Sequence, residues 1–261
     1  MSNFLEIKNL NKSFHKGTPD EVKVFNDFNL TTKRGEFISI IGSNGSGKST
    51  LLNLISGSLK PDSGKIIIAD RGDTNKISES SRYKTMGRVF QNPSMGTAGN
   101  LTVLENLALA ANKGKFYGLG LGFNSNDRAY FAESLKKLNM GLENYLDQKT
   151  GNLSGGQRQA LALFMTSLTE ASLVLLDEHT AALDPKSSDR IMELTQELVD
   201  TMNCSVLMVT HNLRYAIAYG DRIIMMHQGK IVLDKSGEDK KRLHLDDIVG
   251  LFADISIELG N

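Results

Sequence analysis

The sequence has no tryptophan, one cysteine and only four prolines in 261 residues. A single cysteine excludes an intrachain disulfide and a thiolate metal cluster. Cys204 precedes the apolar run Ser205-Val206-Leu207-Met208-Val209 and reads as a small core residue in a reducing compartment. Net charge is missing as well: 30 basic residues balance 30 acidic ones, which argues against a general nucleic-acid or anionic-membrane binder. No apolar run approaches the ~20 residues that a spanning helix needs. Met1 to Glu6 lacks the basic start and apolar core of a signal peptide, so none is expected. Any membrane role would be reached through a partner chain. His15, His179, His227 and His244 show no metal-ligand spacing and read as ordinary structural or surface histidines.

What is present is a core-forming hydrophobic fraction of 40%, enough for one large domain or two small ones, and 24 glycines. Three of those glycines stand at 42, 45 and 47, in Gly-Ser-Asn-Gly-Ser-Gly-Lys-Ser-Thr from Gly42 to Thr50. The stretch fits G-x-x-x-x-G-K-[ST], a loop whose backbone N–H groups surround phosphates. Glycine lets that backbone turn tightly and approach an anion closely, with the positive end of the next helix behind it. Lys48 is expected to hold the β- and γ-phosphates, and the Ser49 hydroxyl to ligate Mg²⁺. Phe37 to Ile41 reads as a buried strand entering the loop; Leu51, Leu52, Leu54 and Ile55 give helical spacing after it. A nucleoside triphosphate is the expected ligand.

Before the loop, Phe4–Leu10 and Val22–Leu30 alternate as strands around turn chemistry at Lys16–Asp20. Phe14 can stack on a base or pack under the sheet. After the loop helix, Lys65–Asp70 is a strand, 71–82 a loop or edge, and Met86–Gln91 a strand stopped by Asn92-Pro93. The texture then turns helical. Thr102 with Glu105 forms a capping box, Lys113–Asn126 reads as a glycine- and aromatic-rich loop, and Asp127–Leu138 is amphipathic.

Leu153-Ser154-Gly155-Gly156-Gln157 leads into the helix Arg158–Leu168. Ser154 is placed as N-cap, and the first-turn donors make a second anion site. Whether it faces the same phosphates is open from spacing alone. Leu173-Val174-Leu175-Leu176 is wholly apolar, as in a parallel sheet, and ends in Asp177-Glu178. Acids at a strand's carboxyl end stand where open α/β sheets bind ligands. Asp177 is expected to hold Mg²⁺ through water, and Glu178 to polarise an attacking water. Asp184-Pro185 opens a helix through Asp200; Cys204–Val209 is another buried strand, with His211 at its end as a γ-phosphate contact. Asp221–Asp234 is a hairpin, and a last amphipathic helix carries Leu245, Ile248, Val249 and Phe252.

The order of these motifs resembles that of the ATP-binding cassette ATPases: the phosphate loop, Gln91, Leu-Ser-Gly-Gly-Gln at 153–157, Asp177-Glu178, Ala182-Leu183-Asp184 and His211. The resemblance runs from about residue 4 to 235. It implies an α/β fold, a P-loop NTPase RecA-like core with an N-terminal antiparallel β-subdomain and an inserted α-helical subdomain. The whole chain, 1–261, is then one ATPase domain. Residues 1–91 and 166–235 form the core with its β-subdomain, 92–165 the helical subdomain with the signature motif, and 236–261 a C-terminal helical extension.

The resemblance further implies a head-to-tail dimer, with itself or a paralogous ATPase subunit, holding two ATP molecules between one subunit's phosphate loop and the other's signature. Ser154, Gly155, Gly156 and Gln157 then touch the neighbour's ATP, and Asp184 lies across the dimer seam. Glu178 becomes the general base, His211 the γ-phosphate contact, and Gln91 the link from metal and water to the membrane partner. Phe14 matches the adenine-stacking position, usually a tyrosine. His179 stands where a proline commonly follows the glutamate, and Met165 where the signature helix usually carries an arginine. Neither touches the phosphate chemistry, so hydrolysis stays the expectation.

Three machines use such a cassette. One chain with one cassette and no membrane span fits the energising subunit of a multi-chain transporter, at the cytoplasmic face of the membrane through permease chains. Ribosome-acting cassettes usually pair two per chain with basic stretches, and chromosome-maintenance ones are split by a coiled coil; neither feature occurs. Standalone cassettes resemble bacterial importer subunits served by an extracytoplasmic solute-binding protein. The Asp177–Asp184 run is similar to that of importers of amino-acid-like cargo. A multi-chain exporter or a non-transport cassette is the alternative.

Overall fold

Gly42, Gly47 and Glu178 all have positive φ, so the backbone bends sharply at the two places where the sequence concentrates its chemistry. The computed structural model describes residues 3–113 and 125–258. Most of the loop read at Lys113–Asn126 therefore lies outside the described residues.

In chain order the elements begin with β1 (Asn3–Phe14), β2 (Val22–Lys33), β3 (Phe37–Gly42), α1 (Lys48–Ser56), β4 (Ser63–Ile68), β5 (Gly72–Asp73) and α2 (Glu79–Tyr83). They continue with β6 (Met86–Val89), α3 (Val103–Ala111), α4 (Ser125–Lys136), α5 (Gly155–Ser167), β7 (Leu173–Asp177) and α6 (Pro185–Met202). The last are β8 (Ser205–Val209), α7 (Leu213–Ala218), β9 (Arg222–His227), β10 (Lys230–Ser236), α8 (Gly237–Lys241) and α9 (Leu245–Glu258). Two units result, Met1–Arg82 with Ser205–Asn261, and Tyr83–Cys204.

The first unit holds an antiparallel sheet in the order β2-β1-β4-β5. β1 and β2 run to 12 residues each, longer than their alternating stretches, because register shifts break the period of two. A second set of strands centres on β3, which pairs in parallel with β8 on one side and β9 on the other; β10 closes β9 in an antiparallel hairpin. β3 and β8 are buried along their whole length, which is why both read as unbroken apolar runs. α1 buries Leu51, Leu52, Leu54 and Ile55 completely, and such side chains contribute about 2 kcal/mol each.

The far end of α1 is held by Arg82. Its buried guanidinium donates to Leu54 O and Ile55 O, both at 3.0 Å, and to Thr74 O at 2.5 Å. A cation on the last carbonyls complements the helix dipole. The segment 71–82, read from sequence as loop or edge, thus contains a short strand and a helix that tie down the phosphate-loop helix. Its polar composition hid this, because the anchor is one long side chain rather than a periodic face.

In the second unit β6 and β7 pair in parallel, Met86 opposite Leu173 and Val89 opposite Leu176. The capping box of α3 is as the spacing predicts: Thr102 Oγ1 accepts from Glu105 N–H at 3.2 Å, and the Glu105 carboxylate accepts from Thr102 N–H at 2.7 Å. Asn106, fully buried, donates to Ala98 O and Thr102 O and accepts from Ala98 N–H, fixing the chain ahead of the helix. Among the described residues no helix is long and apolar enough to cross a membrane.

Candidate nucleotide site

In the first unit β3 delivers the chain to the phosphate loop, and Ser46 N–H donates to Ser43 O at 3.2 Å to close its turn. Gly47 is the N-cap of α1 with φ 100° and ψ 3°, and a Cβ there would stand 2.9 Å from the Phe25 ring. Only glycine meets both conditions. No side chain caps α1 and no acid occupies its first turn, so the positive end of the helix stands at the loop with no acid of its own first turn to offset it. Lys48 is 5% exposed and donates to Gly42 O at 2.8 Å and Ser43 O at 2.9 Å, which holds its ammonium against the loop's own backbone. Asn44, Gly45 and Ser49 are exposed; Thr50 is half-buried one residue further into the helix.

The loop is braced from the β9–β10 turn. Gly229 N–H donates to Ser46 O at 3.1 Å, and the Ser43 hydroxyl lies 3.3 Å from His227 Nδ1. His227, read from sequence as an ordinary histidine, is therefore a neighbour of the phosphate loop. Nothing local signalled it, since the two positions are 184 residues apart.

A cavity of about 270 Å³ opens beside the loop, lined by Ile41 to Asn44, by Thr210, His211 and Leu213, and by Phe252 of α9. Thr210 N–H donates to Ile40 O at 3.1 Å, which sets exposed His211 just past the carboxyl end of β8. The fold thus brings His211 and the start of the phosphate loop to one cavity. Phe252 was legible only as part of an apolar helix face; it joins Leu213, Ile217 and Leu251 against the core of Ile41, Ala216, Ile223, Met225 and Ile248. Phe14, half-buried at the end of β1, lies opposite Val22, and the Lys12 ammonium stands 5.4 Å from its ring centroid.

The second unit carries the other motifs. Gln91 is exposed just beyond β6. Ser154 caps α5: its Oγ accepts from Gln157 N–H and Gln157 Oε1 accepts from Ser154 N–H, both at 3.2 Å. One first-turn donor is therefore already taken, while the Ser154 hydroxyl keeps its own proton for an acceptor. Gln157 Nε2 donates to Met140 O at 3.1 Å. Gly156 is buried against α6, where a Cβ would meet Ser187 Oγ at 3.1 Å and Cβ at 3.2 Å. The signature glycine thus permits a close approach between the starts of α5 and α6. Gly155, exposed, has its Cβ position 3.4 Å from Leu183.

Asp184 caps α6, its Oδ1 accepting from Ser187 N–H at 3.0 Å; hydrogen bonds from the Ser187 side chain and backbone hold this exposed carboxyl below its ordinary value. Asp177, at the end of β7, accepts from Arg88 Nη2 at 3.2 Å. Glu178, half-buried, has φ 48°. His179 is 2% exposed, and burial pushes its imidazole down to about 4. Phe14, Gly42–Thr50 and His211 thus belong to the first unit; Gln91, Ser154–Gln157, Asp177, Glu178 and Asp184 belong to the second.

This constellation has relatives. The profile described as "ABC transporter" matches residues 25–181, more than half of the chain. The chain belongs to the ABC transporter family. It is an ATP-binding subunit of that family, an ATPase that energises transport. The subunit is 47% identical over 250 residues to a tyrosine transport ATP-binding protein of Clostridioides difficile, a match covering 95% of this chain and 98% of that one. It is also 35% identical over 231 residues to the energy-coupling factor transporter ATP-binding protein EcfA2 of Clostridium tetani, covering 88% of this chain and 78% of that one. The dimeric post-hydrolysis structure of the ATP-binding cassette MJ0796, bound to ADP and Pi, superposes with a TM-score of 0.75 at 33% identity. That superposition covers 89% of this chain and 98% of that chain. The fold is accordingly that of an ABC cassette, a RecA-like P-loop core with an antiparallel β-subdomain.

Proposed function

We propose that this ABC ATPase drives import of an amino-acid-like solute through separate permease chains, as a head-to-tail dimer at the cytoplasmic face of the membrane. Its neighbour in that dimer is a second copy or a paralogous ATPase subunit. An extracytoplasmic solute-binding protein delivers the cargo. The observation that carries the cargo class is the 47% identity, over nearly the whole of both chains, to a tyrosine transport ATP-binding protein.

In this reading residues 92–165 act as the helical subdomain and 236–261 as an extension of the core. Phe14 stacks on the adenine, and Gly42 to Thr50 surround the phosphates with Lys48 as their charge. Ser154, Gly155, Gly156 and Gln157 reach the neighbour's ATP, with Asp184 at the seam. Glu178 accepts the proton of the water that attacks the γ-phosphorus, as the bond to ADP breaks, and His211 holds the γ-phosphate. Supporting these roles are the start of α1, which no side chain caps, and the cavity shared by His211 and Gly42–Asn44.

The donors suit Mg²⁺: the Ser49 hydroxyl, the Gln91 amide oxygen and the Asp177 carboxylate are all hard oxygen ligands. When bound, the ion neutralises charge on the β- and γ-phosphates.

Uptake tests the cargo. The chain, co-purified with its permease chains and reconstituted in proteoliposomes, is expected to support ATP-dependent accumulation of radiolabelled aromatic amino acids. Saturable uptake of a different solute class, with none of amino acids, would contradict the proposal.

A further inference from the structure

Glu178 sits in the left-handed region, which a non-glycine residue with a long side chain rarely adopts without being held there. Part of the hold is a turn, Ala181 N–H donating to Glu178 O at 2.9 Å. The next side chain adds a second tie. His179 places Nε2 at 3.0 Å from Thr195 Oγ1, on the buried face of α6. Thr195 is fully buried and donates its single hydroxyl proton to Ile191 O at 2.7 Å. Its oxygen can then only accept from the imidazole, so Nε2 carries the proton and the bond has one direction. Nearby, Ser188 Oγ donates to Thr180 O at 3.1 Å, and Asp184 caps the helix start. The stretch from Glu178 to Asp184 is thus fastened to α6, an 18-residue helix, at three successive points.

We propose that His179 is a positioning residue for Glu178: its hydrogen bond to Thr195 anchors the backbone immediately after the glutamate and sets where that carboxylate points. His179 is 2% exposed, too deeply buried to meet a ligand, so its effect passes through its neighbour. A histidine that only filled the core would be replaced equally well by an apolar side chain of similar size. A positioning histidine needs a donor at the place of Nε2. The inference rests on Glu178 being the proton acceptor, and the experiment separates the two ideas.

The test compares His179→Leu and Thr195→Val with the donor-keeping His179→Gln and the hydroxyl-keeping Thr195→Ser, in the full chain. Each is assayed for steady-state ATP hydrolysis at saturating Mg·ATP and for equilibrium binding of a fluorescent ATP analogue, with Glu178→Gln as reference. H179L and T195V are expected to lower kcat by about tenfold or more with nucleotide affinity held within about twofold, as for lost orientation rather than lost binding. H179Q and T195S are expected to stay within about threefold of the parent rate, and H179L with T195V to be no worse than either alone. Should H179L and T195V fail to fold, H179Q and T195S still decide the matter: a tenfold loss of kcat in both, with fold and affinity intact, overturns the proposal. Parent-like turnover in H179L or T195V also overturns it. Parent-like turnover in Glu178→Gln instead removes the reading of Glu178 on which it rests.

Discussion

The Arg88 guanidinium donates to the Asp177 carboxylate at 3.2 Å across the parallel pair β6–β7, with the two side chains only 5% and 15% exposed. The same guanidinium lies over the Phe90 ring, 4.6 Å from its centroid, one residue before Gln91. Arg88 therefore ties the acid at the end of β7 to the strand that leads to Gln91. Removing one member of a largely desolvated ion pair exposes the other to a poor environment.

Arg88→Met should accordingly lower stability by about 3 kcal/mol, measured by urea unfolding. Arg88→Lys should fall between, because it keeps the charge but loses the planar fork and the ring contact. A loss under about 0.5 kcal/mol for Arg88→Met, the range of an ordinary surface change, would contradict this account of the pair.

Lys48→Ala should leave the fold intact and weaken ATP by at least about tenfold, or about 1.4 kcal/mol. The ammonium now bonded to Gly42 O and Ser43 O is the loop's only lysine, so its loss takes the cation but not the backbone donors. Titration with a fluorescent ATP analogue measures the change. Unchanged affinity would count against the phosphate-loop assignment.

Cys204, 2% exposed, has its thiol pushed up to about 11 by burial. Thiolate is the reactive form, so the native chain should resist thiol reagents at pH 7 to 8.5 and react promptly once urea unfolds it. The sign for stability follows: above the ordinary thiol value the unfolded chain ionises first, so stability falls as pH rises from about 9 towards 11. Cys204→Ala should remove that part of the slope. Prompt labelling of the native chain would contradict the burial.

Motif spacing and capping made much of the fold and site legible. The loop at 42–50, the box at Thr102, the N-cap at Ser154, and the apolar strands at Phe37, Leu173 and Ser205 all announce themselves locally, because their chemistry needs residues a few positions apart. What stayed hidden depends on residues far apart in the chain. Arg88 meets Asp177 over 89 positions, and His227 meets Ser43 over 184. Phe252 reaches the His211 cavity only because α9 packs on α7 and β3. His179 reads from sequence as an ordinary histidine, and its bond to Thr195 requires knowing that α6 packs against it.

The most direct test is Glu178→Gln, followed by light scattering and phosphate release in Mg·ATP. The account predicts that the variant keeps ATP, roughly doubles in mass to a stable dimer, and releases phosphate at least about a hundredfold more slowly than the parent. Undiminished phosphate release, or a chain that holds ATP yet stays a monomer, would contradict it.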